Sequence, residues 1–127
     1  MHRSRLAGFI IDCRTDDLGG AARFWSGALG MPERVLSAGE GERYVGLDDA
    51  ARGLHIEVQA VDHDSRVHLD IETDDIEAEV ARLEALGAKR VRHVRNRWWV
   101  MEAPTGHRFR VVPMDEDSAR AKPNRWP

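Results

Sequence analysis

The sequence predicts an α+β fold built from two copies of one strand–helix–three-strand unit. Three observations predict it. First, Thr15-Asp16-Asp17-Leu18 opens an apolar-periodic stretch that closes at Leu29-Gly30, and Thr73-Asp74-Asp75-Ile76 opens another that closes at Leu86-Gly87. Second, the offset between the copies differs by a single residue from start to end, a spacing long enough to repeat a folding unit and not a local motif. Third, both stretches are preceded by one short apolar strand pattern and followed by three more, separated by turn residues.

The elements follow in order. Residues 6–13 read as a buried strand. Asp16 or Asp17 supplies an N-cap carboxylate, and Leu18, Ala21, Ala22, Trp25, Ala28 and Leu29 fall on one face of a helix. Gly30 suits the position just past a helix end, and Pro32 blocks continuation. Phe24 and Trp25 are expected in the core beneath a sheet. Strands are predicted at 34–37 and 43–47 around the turn Gly39-Glu40-Gly41-Glu42, and at 54–59 after a second turn.

In the second copy, 67–72 is a strand. Asp74 or Asp75 caps a helix with the apolar stripe Ile76, Val80, Leu83 and Leu86, and Gly87 ends it. Strands at 90–94 and 98–102 pair across Arg95-Asn96-Arg97. Ala103-Pro104-Thr105-Gly106 then turns into a last strand at 108–112. The link between copies, residues 60–66, is short and polar, so the modules, about 6–60 and 66–113, are read as one domain over 1–113. Residues 114–127 are a polar, proline-bearing tail expected to be poorly ordered, with Trp126 a solvated end residue.

The 127 residues suit one domain with a real core. Apolar residues at 42% and charged residues at 32% are globular proportions. A formal charge of −3 gives no general pull toward nucleic acid or membrane. The basic stretch from Lys89 to Arg97 is interleaved with apolar residues, so it reads as a strand with one solvated face. Cys13 is the only cysteine, which excludes an internal disulfide and suits a reducing cytoplasm. No run reaches transmembrane length. Gly39-Glu40-Gly41 lacks the lysine of a phosphate loop, and no Gly-x-Ser-x-Gly elbow is present.

Four fragments carry a resemblance: Asp12-Cys13 before the first helix; Ala22-Arg23-Phe24-Trp25 with Leu29-Gly30-Met31; His68-Leu69-Asp70-Ile71; and Trp99-Val100-Met101-Glu102-Ala103-Pro104-Thr105-Gly106. In this order, with the repeat, the chain resembles the vicinal oxygen chelate superfamily of glyoxalase I, extradiol dioxygenases and bleomycin-resistance proteins, and within it the small glyoxalase-like proteins. Ala103 stands where the family turn carries aspartate. The resemblance implies two βαβββ modules in a curled mixed sheet around a cup, often in a homodimer.

It also implies where chemistry would occur, since enzymes of the superfamily draw metal ligands from the first and last strands of each module. Superposing the copies places Ile10, Glu57, His68 and Arg110 at those positions. Only Glu57 and His68 can bind metal, and catalytic sites commonly use three or more protein ligands. Ile10 has no donor atom and Arg110 is always cationic. Residues two apart on a strand share a face, so Asp12, His55, Asp70 and Arg108 join them on a polar floor. Trp98 and Trp99 point to opposite faces. One packs and the other is available to line the cup, and Trp98 is counted with the ligand-binding set; a core or dimer contact is the alternative for either ring. His55, Glu57 and His68 form a second conceivable ligand set.

Each of these residues has a plainer reading. His68 suits a satisfied core histidine as well as a functional one, and Glu57 with Arg110 suits an ordinary buried pair. Cys13 reads as structural, His107 as a turn residue, and His2, His63 and His93 as solvated. The expectation is a cytoplasmic small-molecule-binding protein without the full metal site, in which Arg110 takes the electrostatic role of the metal, with no partner among nucleic acids or membranes. The alternative is a metal-dependent lyase, isomerase or dioxygenase that uses Glu57 and His68 with a divalent metal.

Overall fold

The computed structural model describes residues 1–34, 43–49, 51–118 and 120–127. They fall into two compact units, Phe9–Val67 and Met1–Gly8 with His68–Pro127. The first strand, β1 (His2–Arg14), contributes its opening residues to the second of these units and the rest to the first.

The Phe9–Val67 unit continues with α1 (Leu18–Leu29), β2 (Glu33–Arg34), β3 (Tyr44–Asp48) and β4 (His55–Val61). Its strands lie in the order β2-β3-β4-β1, with β3 antiparallel to both β2 and β4. The predicted strand at 34–37 is described only at Arg34. Its remainder and the Gly39–Glu42 turn lie outside the described residues.

The other unit holds β5 (Arg66–Thr73), α2 (Ile76–Ala85), β6 (Lys89–Val94), β7 (Trp98–Glu102), β8 (Arg108–Pro113) and β9 (Asn124–Trp126). Its order is β1-β5-β8-β7-β6. β5 and β8 are parallel, which the α2 crossover permits, and the remaining pairs β6–β7 and β7–β8 are antiparallel. Both copies therefore form strand, helix and three strands, as the repeat predicts.

Local chemistry fixes the helix ends. The Asp17 carboxylate accepts from the Gly20 amide at 3.0 Å, and Asp75 accepts from Ala78 at 3.1 Å. Each satisfies an N–H the first turn leaves without a helical partner. Asp74 turns away from the cap and takes both the backbone amide and Nε of Arg3. Gly30 closes α1 at φ +68°, where a side chain would be strained. Gly87 sits at φ +109°, and a Cβ there would lie 3.0 Å from Pro104.

Under α1 the core is Leu47, Ile56 and Val58 with Phe9, Leu18, Ala21 and Trp25. Under α2 it is Val80, Leu83, Met101 and Val111 with Ile71, Ile76, Trp99 and Phe109. Three expected core residues are not in it. Phe24 is 64% exposed, Leu29 40% and Leu86 68%. Phe24 follows the buried Ala22 by two positions, which carries it about 200° around the helix; it meets only the edge of Trp25, with ring centroids 5.1 Å apart. Leu29 is the last residue of α1 and Leu86 is the cap just past α2.

The tail also differs from expectation. Asn124–Trp126 form β9 against His2–Ser4. The Trp126 indole N–H donates to Ser4 Oγ at 2.8 Å, and the Arg82 guanidinium lies 3.9 Å from the ring centroid. Edge pairing and an aromatic anchor order a segment that composition alone marks as loose. His2 is likewise buried and not solvated, with Nε2 2.8 Å from the wholly buried Glu79.

Candidate functional site

In the Met1–Gly8 and His68–Pro127 unit, strand register sorts the side chains into two faces. Cross-strand partners share a face. Asp70 pairs with Arg110, Arg110 with Val100, and Val100 with Arg92. One face therefore carries His68, Asp70 and Glu72 of β5, Arg108 and Arg110 of β8, and Trp98 and Glu102 of β7. The opposite face carries Trp99, Met101, Phe109 and Val111 and packs on α2. A bulge between Arg90 and Arg92 resets the alternation of β6. It leaves Arg90 and His93 on the helix side, where His93 stacks on Trp99 at 4.4 Å and Arg90 lies 5.0 Å from the same ring. Of the two tryptophans, Trp99 is thus the packing one and Trp98 lies on the polar face.

The centre of that face is a charge pair. Arg110 donates from Nε and Nη2 to the two oxygens of Asp70 at 2.8 and 2.6 Å, a planar fork on a planar carboxylate. Asp70 is 2% exposed. Trp98 sits 5.9 Å from the Arg110 guanidinium. His68 Nε2 stands 3.8 Å from Asp70. Arg108 reaches Glu102, its cross-strand partner, at 3.3 Å.

Two residues further along β5, the buried Glu72 accepts from Arg5 at 2.6 Å, from Arg120 at 2.8 and 3.0 Å, and from the Asp115 amide at 3.2 Å. Burial pushes its carboxyl up, but Arg120, Arg5 and the amide outweigh this and hold it below the ordinary glutamate value. Sequence reasoning missed this cluster. Glu72 follows His68 and Asp70 at steps of two and was legible from alternation. Arg5 and Arg120, far away in sequence, gave no signal.

In the Phe9–Val67 unit, β4 places His55 and Glu57 on one face, as their spacing predicts. His55 Nε2 is bonded to Glu57 Oε1. Gly46 lies directly across from Glu57, so no side chain crowds it from β3. On the same face Gln59 donates to the Tyr44 hydroxyl at 3.2 Å. Asp12 is 3% exposed, with Arg66 Nε 3.8 Å from its carboxylate. Ile10 is wholly buried. Cys13 has its thiol pushed up by burial, which suits a packing role.

The superfamily metal is a poor fit to these residues. Ile10 offers no donor, and the guanidinium at Arg110 is a fixed cation locked to Asp70. Among the described residues no group of three or more histidine, cysteine, aspartate or glutamate side chains is arranged to hold a metal ion. Among the same residues no helix is long and apolar enough to cross a membrane.

Two βαβββ units of this topology define the vicinal oxygen chelate class of proteins. The chain belongs to it as a member of the glyoxalase-like domain family, whose model matches residues 8–112. No curated protein matches it. Among solved structures it is similar to a hypothetical protein from Bacillus halodurans C-125, at 12% identity and a TM-score of 0.64 over 90% of this chain and 96% of that one. It is similar to methylmalonyl-CoA epimerase from Mycobacterium tuberculosis, at 17% identity and 0.63 over 87% and 89%. A methylmalonyl-CoA epimerase in complex with methylmalonyl-CoA and NH4+ matches at 14% identity and 0.59 over 91% and 98%. These likenesses share the fold with the chain.

Proposed function

We propose that this chain is a glyoxalase-like small-molecule-binding protein that works without the full metal set of its superfamily. The observation that carries this reading is the bidentate Arg110–Asp70 pair, Arg110 being the residue that the resemblance aligns with a metal-ligand position. A guanidinium keeps its charge at every physiological pH and fits carboxylate oxygens. Arg110 therefore replaces the metal as the fixed positive charge that attracts an anionic oxygen of the ligand. Trp98 beside it offers a flat apolar wall, and Arg108 on the same face contributes a polar contact. The ligand is a small oxygenated anion, and the protein acts as a homodimer in the cytoplasm.

A second reading is favoured by the bond between His55 and Glu57. A carboxylate that fixes an imidazole tautomer is the arrangement of a general base, so His55 oriented by Glu57 would serve proton transfer in a lyase or isomerase. The superfamily fold and the CoA derivatives bound by the epimerases make methylmalonyl-CoA and 2-oxoaldehyde thiol adducts the compounds to try.

Protein purified without chelator is analysed for metal, and its tryptophan fluorescence is titrated with both compounds. Saturable quenching in metal-poor protein, weakened about tenfold in Arg110→Gln, is the expected result. One tightly held divalent ion per chain that disappears in Glu57→Ala would overturn the metal-free reading. Turnover abolished by Glu57→Gln would select the second reading. Sedimentation at twice the mass of one chain is expected for the dimer.

A further inference from the structure

The β6–β7 hairpin carries a concentration of positive charge that neither the fold nor the polar floor accounts for. From Lys89 to Met101 the chain has no acidic residue. Arg92, Arg95 and Arg97 are all exposed and none reaches a carboxylate among the described residues. Most other arginines do, Arg5, Arg82, Arg90, Arg110 and Arg120 among them. The turn itself is set by Arg95 and Asn96 at φ +52° and +54°, closed by the Arg97 amide on the Val94 carbonyl at 2.9 Å. Glycine or asparagine is favoured at the first of these positions, and an arginine there is costly for the turn. Its presence is explained better by its charge than by its backbone preference.

The hairpin is continuous with the site face. Arg92 pairs with Val100, and Val100 with Arg110. Arg92 and Arg110 are thus in one cross-strand row two strands apart, about 10 Å between their backbones, and Trp98 adjoins the turn on the same face. A ligand lying along that row would meet the Arg110–Trp98 pair at one end and Arg92 at the other, with Arg95 and Arg97 in the turn next along the hairpin.

We propose that this hairpin is an anion subsite for a phosphate-bearing small molecule, with Arg92, Arg95 and Arg97 taking the phosphate oxygens while the oxygenated end of the same molecule lies at Arg110. Guanidinium forks match phosphate as they match carboxylate, and one unit of uncompensated charge from each arginine suits a di- or polyphosphate better than a single carboxylate. The inference rests on the ligand-binding reading given above and assigns its substrate class.

The test uses inorganic pyrophosphate as probe, titrated into the full chain by calorimetry and by amide NMR at low and at physiological salt. Saturable binding is expected, weakening with salt, with shifts at the hairpin. The R92Q/R95Q/R97Q variant should bind about tenfold more weakly or worse. A control with Arg23→Gln and Arg125→Gln, exposed arginines outside the hairpin, should bind as the unmodified chain does. Absence of saturable binding, or equal losses in variant and control, would overturn the proposal. Saturable quenching of tryptophan fluorescence by the two compounds named above in the unmodified chain, with no saturable pyrophosphate binding to that same chain, would refute the phosphate subsite alone and leave the ligand-binding reading standing.

Discussion

At the scale of single residues, the charged groups of this protein are set by partners and not by exposure. Asp70 is buried, and both of its oxygens accept from the Arg110 guanidinium. Asp70→Asn should cost about 3 kcal/mol, the usual penalty for breaking a buried pair from one side. Urea unfolding would measure it, and a loss within 0.5 kcal/mol, the range of ordinary surface changes, would contradict the pairing. Glu72 and Glu79 add a pH dependence. In both, burial raises the carboxyl, and arginine partners, with His2 and Ser4 at Glu79, outweigh it and hold the pKa low. A lowered folded value means the stabilisation is complete above the unfolded glutamate pKa of about 4.3 and is lost as pH falls through the lower folded value. Glu72→Gln should therefore be less stable than the unmodified chain at pH 7 and converge with it as pH falls through the lowered folded value. A gap that stays constant over that range would show that the carboxylate charge is not the cause.

At the scale of elements, the repeated pattern fixes type and order but not which side chains are covered. Trp25 packs into the core under α1 while Phe24 projects to solvent. Trp25→Ala should lower stability by about 3 kcal/mol, whereas Phe24→Ser should change it by less than about 0.5 kcal/mol; reversed magnitudes in thermal unfolding would place the helix face wrongly. The tail is a structural element and not an appendage. β9 pairs with the start of β1, Trp126 bonds Ser4 under Arg82, and Arg120 reaches Glu72. Deleting 114–127 should expose the β1 amides to hydrogen exchange and strip Glu72 of a main cation. Protection unchanged at His2–Ser4 in the truncated chain would count against that role.

At the scale of the whole molecule, the family assignment and the chemistry separate. The family match places the chain in a superfamily many of whose enzymes use a metal, while under the proposal above its ligand positions are Ile10, Glu57, His68 and Arg110, only two of which carry donors. Since a bound metal stabilises the state that binds it, chelator should leave the melting temperature unchanged if the metal-free proposal holds. A drop of several degrees on chelation, restored by one divalent ion, would sink it.

What the sequence determined by itself is the architecture and its punctuation. Carboxylate caps at Asp17 and Asp75, glycines at helix ends and alternating strands are local consequences of residue chemistry, and the internal repeat doubles each signal. It also placed His55 with Glu57 and Asp70 with His68, since side-chain alternation has a fixed period of two. Tertiary structure decided the partners. That Arg110 would take Asp70, that Arg5 and Arg120 would meet on Glu72, and that Trp126 would anchor the tail depend on strand register and on contacts between residues far apart in the chain. No local pattern encodes these, because long-range pairing is selected by the packing of the whole unit. The bulge after Arg90 belongs to the same class. One extra residue turned Arg92 onto the face of Asp70 and Arg110, and that shift in register underlies the proposed phosphate subsite.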